Sequence, residues 1–394
     1  MKNLIHDING GALIIVLGIM LMLTIAAIMA VHTAQTDIDL SFNQVDHDHA
    51  FYVADAGLKK AFNHLNNDNL WEDGYSDSTF EDGTYSVDLT RDIPVSDSSF
   101  NPIWDTVVLR STGIYREAEA NVKAIVVPEL FFPFRYAVYG EDYILMDNNS
   151  LTDSYNSDLA DYVDSLAGTE GDVASNGTVT LSNSAEVNGD ATSSEVDGVT
   201  VCATCDVAEN VNDGVDPFEL ETIPEEVFDQ AAIVNDNATG ITGVYDSISA
   251  GPDLWLGNSD TVVLQAPGVY YLDDITMASN SCIRLSTDTS VVLYMRGTLT
   301  LDNNTSVNPF TEPTNLLIIS DGQVVTIGND TEIYAAFYGP DADVSLGNSC
   351  DWFGSLIAGS VTMINTGSLH YDEALAPIPI TTTGNMLMIA WEEE

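Results

Sequence analysis

A chain of 394 residues is too long for one small domain and long enough to bury two hydrophobic cores, so at least two folded units are expected. Its 61 acidic residues against 10 Lys plus Arg leave a formal net charge of −51, which repels phosphate and excludes nucleic-acid binding. No basic residue lies between Arg135 and Arg284, which excludes arginine clamps and lysine nucleophiles from the middle of the chain. Such an acidic excess reads as a solvated surface or one that gathers divalent cations; Ca²⁺ is compatible with it, but no metal site and no cofactor is assigned.

Residues 12–31, ALIIVLGIMLMLTIAAIMAV, hold one Thr and no charge, and as a helix they span about 30 Å, enough to cross a bilayer. Lys2 precedes this run while Asp37, Asp39, Asp46 and Asp48 follow it, which keeps the short end in the cytoplasm and exports the bulk of the chain. Ala27 and Ala30 are small enough for an ordinary secretory cleavage, yet the apolar run exceeds the about 7–15 residues of such signals. A plain membrane anchor is the stronger rival reading.

The apolar run is preceded by the polar leader MKNLIHDING and opens abruptly at Gly10-Gly11-Ala12-Leu13-Ile14. This segment resembles the leader and first helix of type IV pilins of the minor PilX type, as do Asn43-Gln44 and the stretch from Ala50 to Leu58 containing Ala54-Asp55-Ala56-Gly57-Leu58. The resemblance implies a prepilin peptidase cutting after Gly10 at the inner membrane, Gly11 as the new amino terminus, and other pilins and the pilus assembly platform as partners. At the fifth mature position, where most major pilins carry Glu, this chain has Ile15, which points to a minor subunit.

Phe51, Ala54, Leu58, Ala61 and Leu65 recur at three and four residues and carry the helix to about Asn66. Gly57 within it marks a close packing point, and the pair His47 and His49 reads as solvated, since residues two apart on a helix face different ways. Short alternating segments then follow at 84–89, 106–109 and 118–127. They read as an antiparallel sheet, so that residues 11–135 form an α+β pilin-like module.

Beyond it an apolar-x-apolar-x-Asn signature recurs, with another apolar residue often four positions after the Asn. Its turn residues are Asn148, Asn183, Asn258, Asn280, Asn303, Asn329, Asn348 and Asn365, the Asn280 copy holding one extra residue. The later spacings suit single turns of a parallel β-helix or solenoid, each Asn turning the chain by a left-handed backbone or by a side-chain ladder. Residues 136–376 are therefore expected to form a solenoid, interrupted by an insertion at about 192–250 and followed by a tail, 377–394. The region also resembles a β-helical domain appended to PilX-type amino termini, in the stretches 153–157, 338–344 and 370–375.

Within the insertion Cys202 and Cys205 read as a local disulfide, because no βαβ context or second CxxC accompanies them. Cys282 and Cys350 each follow a repeated Asn by two residues, which sets them in one column three turns apart, about 14 Å and beyond disulfide reach. Asp341, Asp343, Asp372 and Glu373 are candidate acids for an enzyme acting on polysaccharide, but an anionic sugar would find only Arg284 and Arg296. His370 reads as a packed residue of the last turn. The expectation is a non-enzymatic minor pilin or pseudopilin at the filament tip, displaying an acidic β-helical domain for surface contact or adhesion through an unnamed ligand. The alternative is a membrane-anchored, exported β-helix that binds or acts on polysaccharide.

Overall fold

A computed structural model describes residues 8–67, 71, 73–92, 106–128, 131–243, 247–248, 252–287, 289–309, 311–380 and 386–393. Two compact units divide the chain: the first helix, the strands up to residue 127 and the last strand form one, and the chain from Pro128 onward forms the other.

Helix α1, Ile8–Leu65, runs for 58 residues, about 85 Å, through a stretch free of proline. Its amino-terminal half is exposed along its length, with Leu13, Ile14, Met22 and Met29 each more than half accessible. With a mean hydropathy of 2.9 it is long and apolar enough to cross a membrane. The carboxyl-terminal half packs: Ala50, Val53, Ala54, Leu58, Ala61 and Leu65 are buried along one stripe. Phe51, expected in that stripe, is only half-buried, because the sheet meets the face centred on the small Ala50 and Ala54 instead.

That face is held very close to the sheet. A Cβ at Gly113 would lie 2.2 Å from the Ala50 carbonyl oxygen, and one at Gly57 would lie 2.5 Å from the Tyr85 ring, so both contacts require glycine. The Ser111 hydroxyl donates to the Ala54 carbonyl at 2.7 Å across the same contact. Strands β1 (Tyr75–Phe80), β2 (Gly83–Asp92), β3 (Thr106–Tyr115) and β4 (Ala118–Pro128) pair antiparallel in sequence order. The last strand, Met386–Glu393, lies beside β4 as the fifth of this sheet, where a tail was expected. Met386 is buried in the head core, its N–H bonds Asn66 Oδ1 at 2.7 Å, and Lys123 pairs with Glu392 at 2.8 Å. His49 stacks on Tyr115 at 4.7 Å, and His47 lies 3.9 Å from Glu393.

In the second unit short strands pair in parallel, each with the strand one layer on, and the pairings form three columns. The first passes through Leu254–Leu256, Ile275–Met277, Leu299–Leu301, Val324–Ile327, residues 343–346, 360–364 and 143–147, Thr178–Ser182 and Val199–Val201. Its inward pairs, among them Leu254 with Leu256, Val344 with Leu346, and Ile144 with Met146, are those of the repeated signature and make one continuous core. The second column runs from Thr261–Leu264 through Cys282–Leu285 and Ser368–Asp372 to Leu151–Tyr155 and Asp206–Val207. The third runs from Gly268–Leu272 through Val291–Met295 and Leu316–Ser320 to residues 138–140 and Val211–Asp213. The corner between the second and third columns falls at Gly354, whose φ of 133° and Cβ position 2.1 Å from the Ala335 oxygen exclude any side chain.

The layers are not stacked in chain order. Residues 138–213 continue the stack beyond residue 372, and 138–140 supply the third side of the layer begun by 360–364 and 368–372. The Tyr371 hydroxyl donates to the Phe134 carbonyl at 2.7 Å at this seam, and Phe131 pairs with Ile380 beside it.

Two expectations are corrected here. Residues 191–213, placed in an insertion, pair in parallel with 173–187 and extend all three columns. The segment after them is a cover. The outward residues of the third column, Tyr271, Tyr294, Ile319, Tyr338, Ile357 and Tyr139, stand level in successive layers and are buried. Over this row runs 214–240: Tyr139 donates to the Phe218 carbonyl at 2.9 Å, Tyr338 to that of Glu221, and Phe228 of helix α2 (Glu225–Val234) meets Tyr294 edge-on at 5.9 Å. Burial on both faces is why Val291–Met295 is apolar throughout. The register of Cys282 is the second correction: it is level with Asp351, one position past Cys350, because the extra residue before Asn280 sets that Asn one position later in its turn than Asn258 or Asn303 while the strands stay in register. Both thiols are buried and free.

Candidate functional site

The repeat asparagines line one corner of the stack. Asn148, Asn183, Asn280 and Asn365 are themselves left-handed, whereas after Asn258, Asn303, Asn329 and Asn348 the left-handed residue is the next one, Ser259, Asn304, Asp330 and Ser349. The side chains form a ladder: Asn303 Oδ1 accepts from Asn329 N–H and Asn329 Oδ1 from Asn348 N–H, each at 2.9 Å. Asn365 then donates to Asn348, and Asn148 to Asn365, so the ladder crosses the seam where the chain jumps. Asn183 donates to Asp147 at 2.6 Å. Both turning devices are therefore used, sometimes by one residue. A disulfide joins Cys202 and Cys205 at the corner between Val199–Val201 and Asp206–Val207. Gly10 and Gly11 fall within the first turns of α1, and residues 1–7 of the leader lie outside the described residues.

Three of the four candidate acids are engaged structurally, and the fourth, Asp341, is exposed. Asp372 is fully buried and accepts from Ser157 N–H at 2.9 Å, Ser157 Oγ–H at 2.7 Å and Ala374 N–H at 3.1 Å. Glu373 accepts from Ser154, and Asp343 from Ser360. Among the described residues no three His, Cys, Asp or Glu converge as a metal site.

A different feature stands out on the outer face of the second column. Tyr334, Phe353, His370 and Asp153 are level in successive layers, and each lies five residues after a repeat Asn. Tyr334 stacks on Phe353 at 4.3 Å and 8°, and Phe353 on His370 at 4.7 Å and 30°. Asp153 holds His370 Nδ1 at 2.7 Å and accepts from the Tyr162 hydroxyl at 2.7 Å, while Tyr162 covers the imidazole at 4.0 Å. At 5% exposure His370 is enclosed, and it braces the rings without reaching the groove as a catalyst.

Outside these rings lies a groove of about 470 Å³ lined by Tyr155, Ser157, Asp161, Tyr162, Thr311, Glu312, Pro313, Tyr334 and Phe353, a volume within the range of small-molecule sites. Burial is the main cause that raises the pKa of Tyr155, Tyr162 and Tyr334, with neighbouring carboxylates adding to it, so these phenols stay neutral. The sequence reading missed this groove. Its signal was the phase of the repeat, since aromatic residues five after Asn329 and Asn348 predict a stacked outward row.

Elsewhere the stack holds a strained carboxylate. Asp172 accepts from Asp190 N–H at 2.7 Å, and burial, with Asp190, Glu170 and Glu209 adding repulsion, pushes its pKa up to about 6. A folded pKa above the unfolded value of about 3.9 contributes stability that is fully present below pH ~4 and is lost as pH rises through the folded pKa. Asp172→Asn keeps an acceptor for Asp190 and removes the charge. Urea midpoints at acidic and neutral pH should therefore differ less in the variant than in the wild type, and an unchanged difference would refute this assignment.

Residues 9–59 match the family model described as PilX N-terminal, and residues 206–378 match a domain of unknown function, DUF7305. No curated protein sequence matches the chain. The crystal structure of the competence-associated pilin ComZ from Thermus thermophilus aligns over 89% of this chain and 98% of its own, at 13% identity and a TM-score of 0.35, too loose a likeness to carry an argument.

Proposed function

We propose that this chain, whose residues 9–59 are a PilX-type pilin amino terminus, is a minor subunit of a type IV pilus. The observation that carries the reading is helix α1: its apolar half is exposed from Leu13 onward and continues without a break into the core of a helix-on-sheet head. Exposed Leu, Ile and Met of that density are stable only in lipid or among other apolar helices. A subunit passing from the inner membrane into a filament exchanges one such environment for the other.

On this reading a prepilin peptidase removes residues 1–10, the assembly platform and other pilins are the partners, and the second unit lies outside the cytoplasm. The column-by-column parallel pairing supports reading that unit as a β-solenoid. Its role on this reading is structural and adhesive, which is supported by Asp343, Asp372 and Glu373 being tied into the stack by hydrogen bonds. Ile15 in place of the usual Glu and the bulk of an acidic appended domain favour the filament tip, where no copy follows to collide with or repel it. Immunogold labelling of sheared filaments should give sparse label confined to ends. Regular decoration along the shaft at the stoichiometry of the main pilin, or no label on filaments, would overturn the assignment.

A further inference from the structure

We propose that the aromatic groove beside Tyr334 is a binding site for an alkylammonium group. The argument starts from what the groove has left to offer. Four of its hydroxyl protons are already committed: Tyr162 donates to Asp153 at 2.7 Å, Tyr334 to Glu332 at 2.9 Å, Ser157 to Asp372 at 2.7 Å, and Thr311 to Asn308. Among the described residues no Lys, Arg, His, Asn or Gln lines it. An incoming ligand thus meets hydroxyl lone pairs, the Tyr155 hydroxyl, the carboxylate of the exposed Asp161, and ring surface, a lining that favours ligands bringing donors or positive charge. Carboxylated or sulfated ligands are repelled.

Ring orientation separates an ammonium from a neutral sugar. A sugar stacks on a flat, open aromatic face, but Phe353 is covered on one side by Tyr334 and on the other by His370. Tyr155 stands at 78° to Tyr162, and the two cross Phe353 at 85° and 68°, so the two tyrosine rings meet as the walls of a corner with Phe353 wedged behind them. A corner of two neutral tyrosine rings with a carboxylate beside it is an arrangement that attracts a methylated or primary ammonium through the ring quadrupoles. The electric field of a chain with net charge −51 acts in the same direction.

The test uses the full chain in detergent micelles, titrated by calorimetry with choline, with butylammonium, and with 3,3-dimethylbutan-1-ol, the neutral isostere of choline. Choline should bind saturably and about tenfold or more tighter than its isostere. Asp161→Asn, a change at an exposed position, should weaken choline severalfold and leave the alcohol unaffected; Tyr334→Leu should weaken choline and butylammonium together, with an unchanged thermal transition showing that the fold persists. Choline tighter than butylammonium identifies a methylated headgroup as the source, and the reverse order identifies a lysine-type amine. Equal binding of choline and the alcohol would reduce the groove to an apolar cleft. N-acetylglucosamine binding without choline binding, or no choline binding at all, would overturn the proposal. Neither result bears on the pilin assignment, which rests on α1.

Discussion

On the proposed reading, in which a peptidase cuts after Gly10, Gly10→Val is expected to leave the leader attached, so that a membrane-bound chain retaining residues 1–10 replaces a form beginning at Gly11. The site lies where a polar leader meets an apolar helix, and Ile8–Leu65 is continuous across it. A peptidase at the membrane face must seat the residue before the scissile bond within a narrow space, and a β-branched side chain there is rigid and bulky. Intact-mass analysis of the membrane fraction reads the result directly: wild type should lose the leader almost completely and the variant should keep it. The uncut chain should also be absent from sheared filaments, because its leader holds the helix in the bilayer. Efficient cleavage of the variant would refute the assigned site, and a wild-type chain beginning near His32 would replace the pilin reading by ordinary secretion.

Trp352→Ala should destabilise the second unit by about 3–5 kcal/mol, a large part of the stability of most domains. Trp352 is fully buried, stands level with Ile333 and Leu369, and meets Phe337 edge-on at 6.1 Å. Its indole N–H donates to the Ala335 carbonyl at 3.0 Å, at the corner where Gly354 turns the chain. Truncation opens a cavity between layers whose backbones are held by hydrogen bonds on both sides and so cannot collapse into it. It also leaves the Ala335 oxygen without this donor in a dry interior. Trp352→Phe keeps most of the volume and should cost about 1–3 kcal/mol, chiefly for the lost hydrogen bond. Urea unfolding followed by far-ultraviolet circular dichroism checks both. A loss below 1 kcal/mol for the alanine variant would mean that the layers slide to fill the space.

The amphipathic stripe of α1, three of the five head strands and the inward pairs of the repeat were legible in the sequence, because each depends on local period alone, whereas Tyr75–Phe80 was not read as a strand. Helix needs apolar residues at three and four, and a half-buried strand needs them at two. Phe51 shows the limit of that reading. Ala54, Leu58, Ala61 and Leu65 are buried as the period requires, but at the start of the stripe the close approach at Gly113 selects Ala50 and Ala54 over a bulky ring. The Asn phase also carried the outward row Tyr334, Phe353 and His370, whose members stand in different layers and meet only when those layers stack.

Which layer stacks on which was decided only in three dimensions. Every layer offers the same two edges of unpaired N–H and C=O groups and the same inward apolar pair, so local pattern is indifferent to chain order; the seam between 368–372 and 151–155 is chosen by the total core it completes. The same reason holds for Met386–Glu393, whose partner β4 lies more than 250 residues earlier in the chain, and for 214–240, whose composition resembles a loop until it meets the row of tyrosines. The groove belongs with these. Its walls come from residues 155–162, 311–313, 334 and 353, and no window of sequence contains them together. Periodicity thus determined the helix, most of the strands and the faces they bury, while long-range pairing, with its gain in buried apolar area, decided the order of the layers and brought together the rings and carboxylates of the groove.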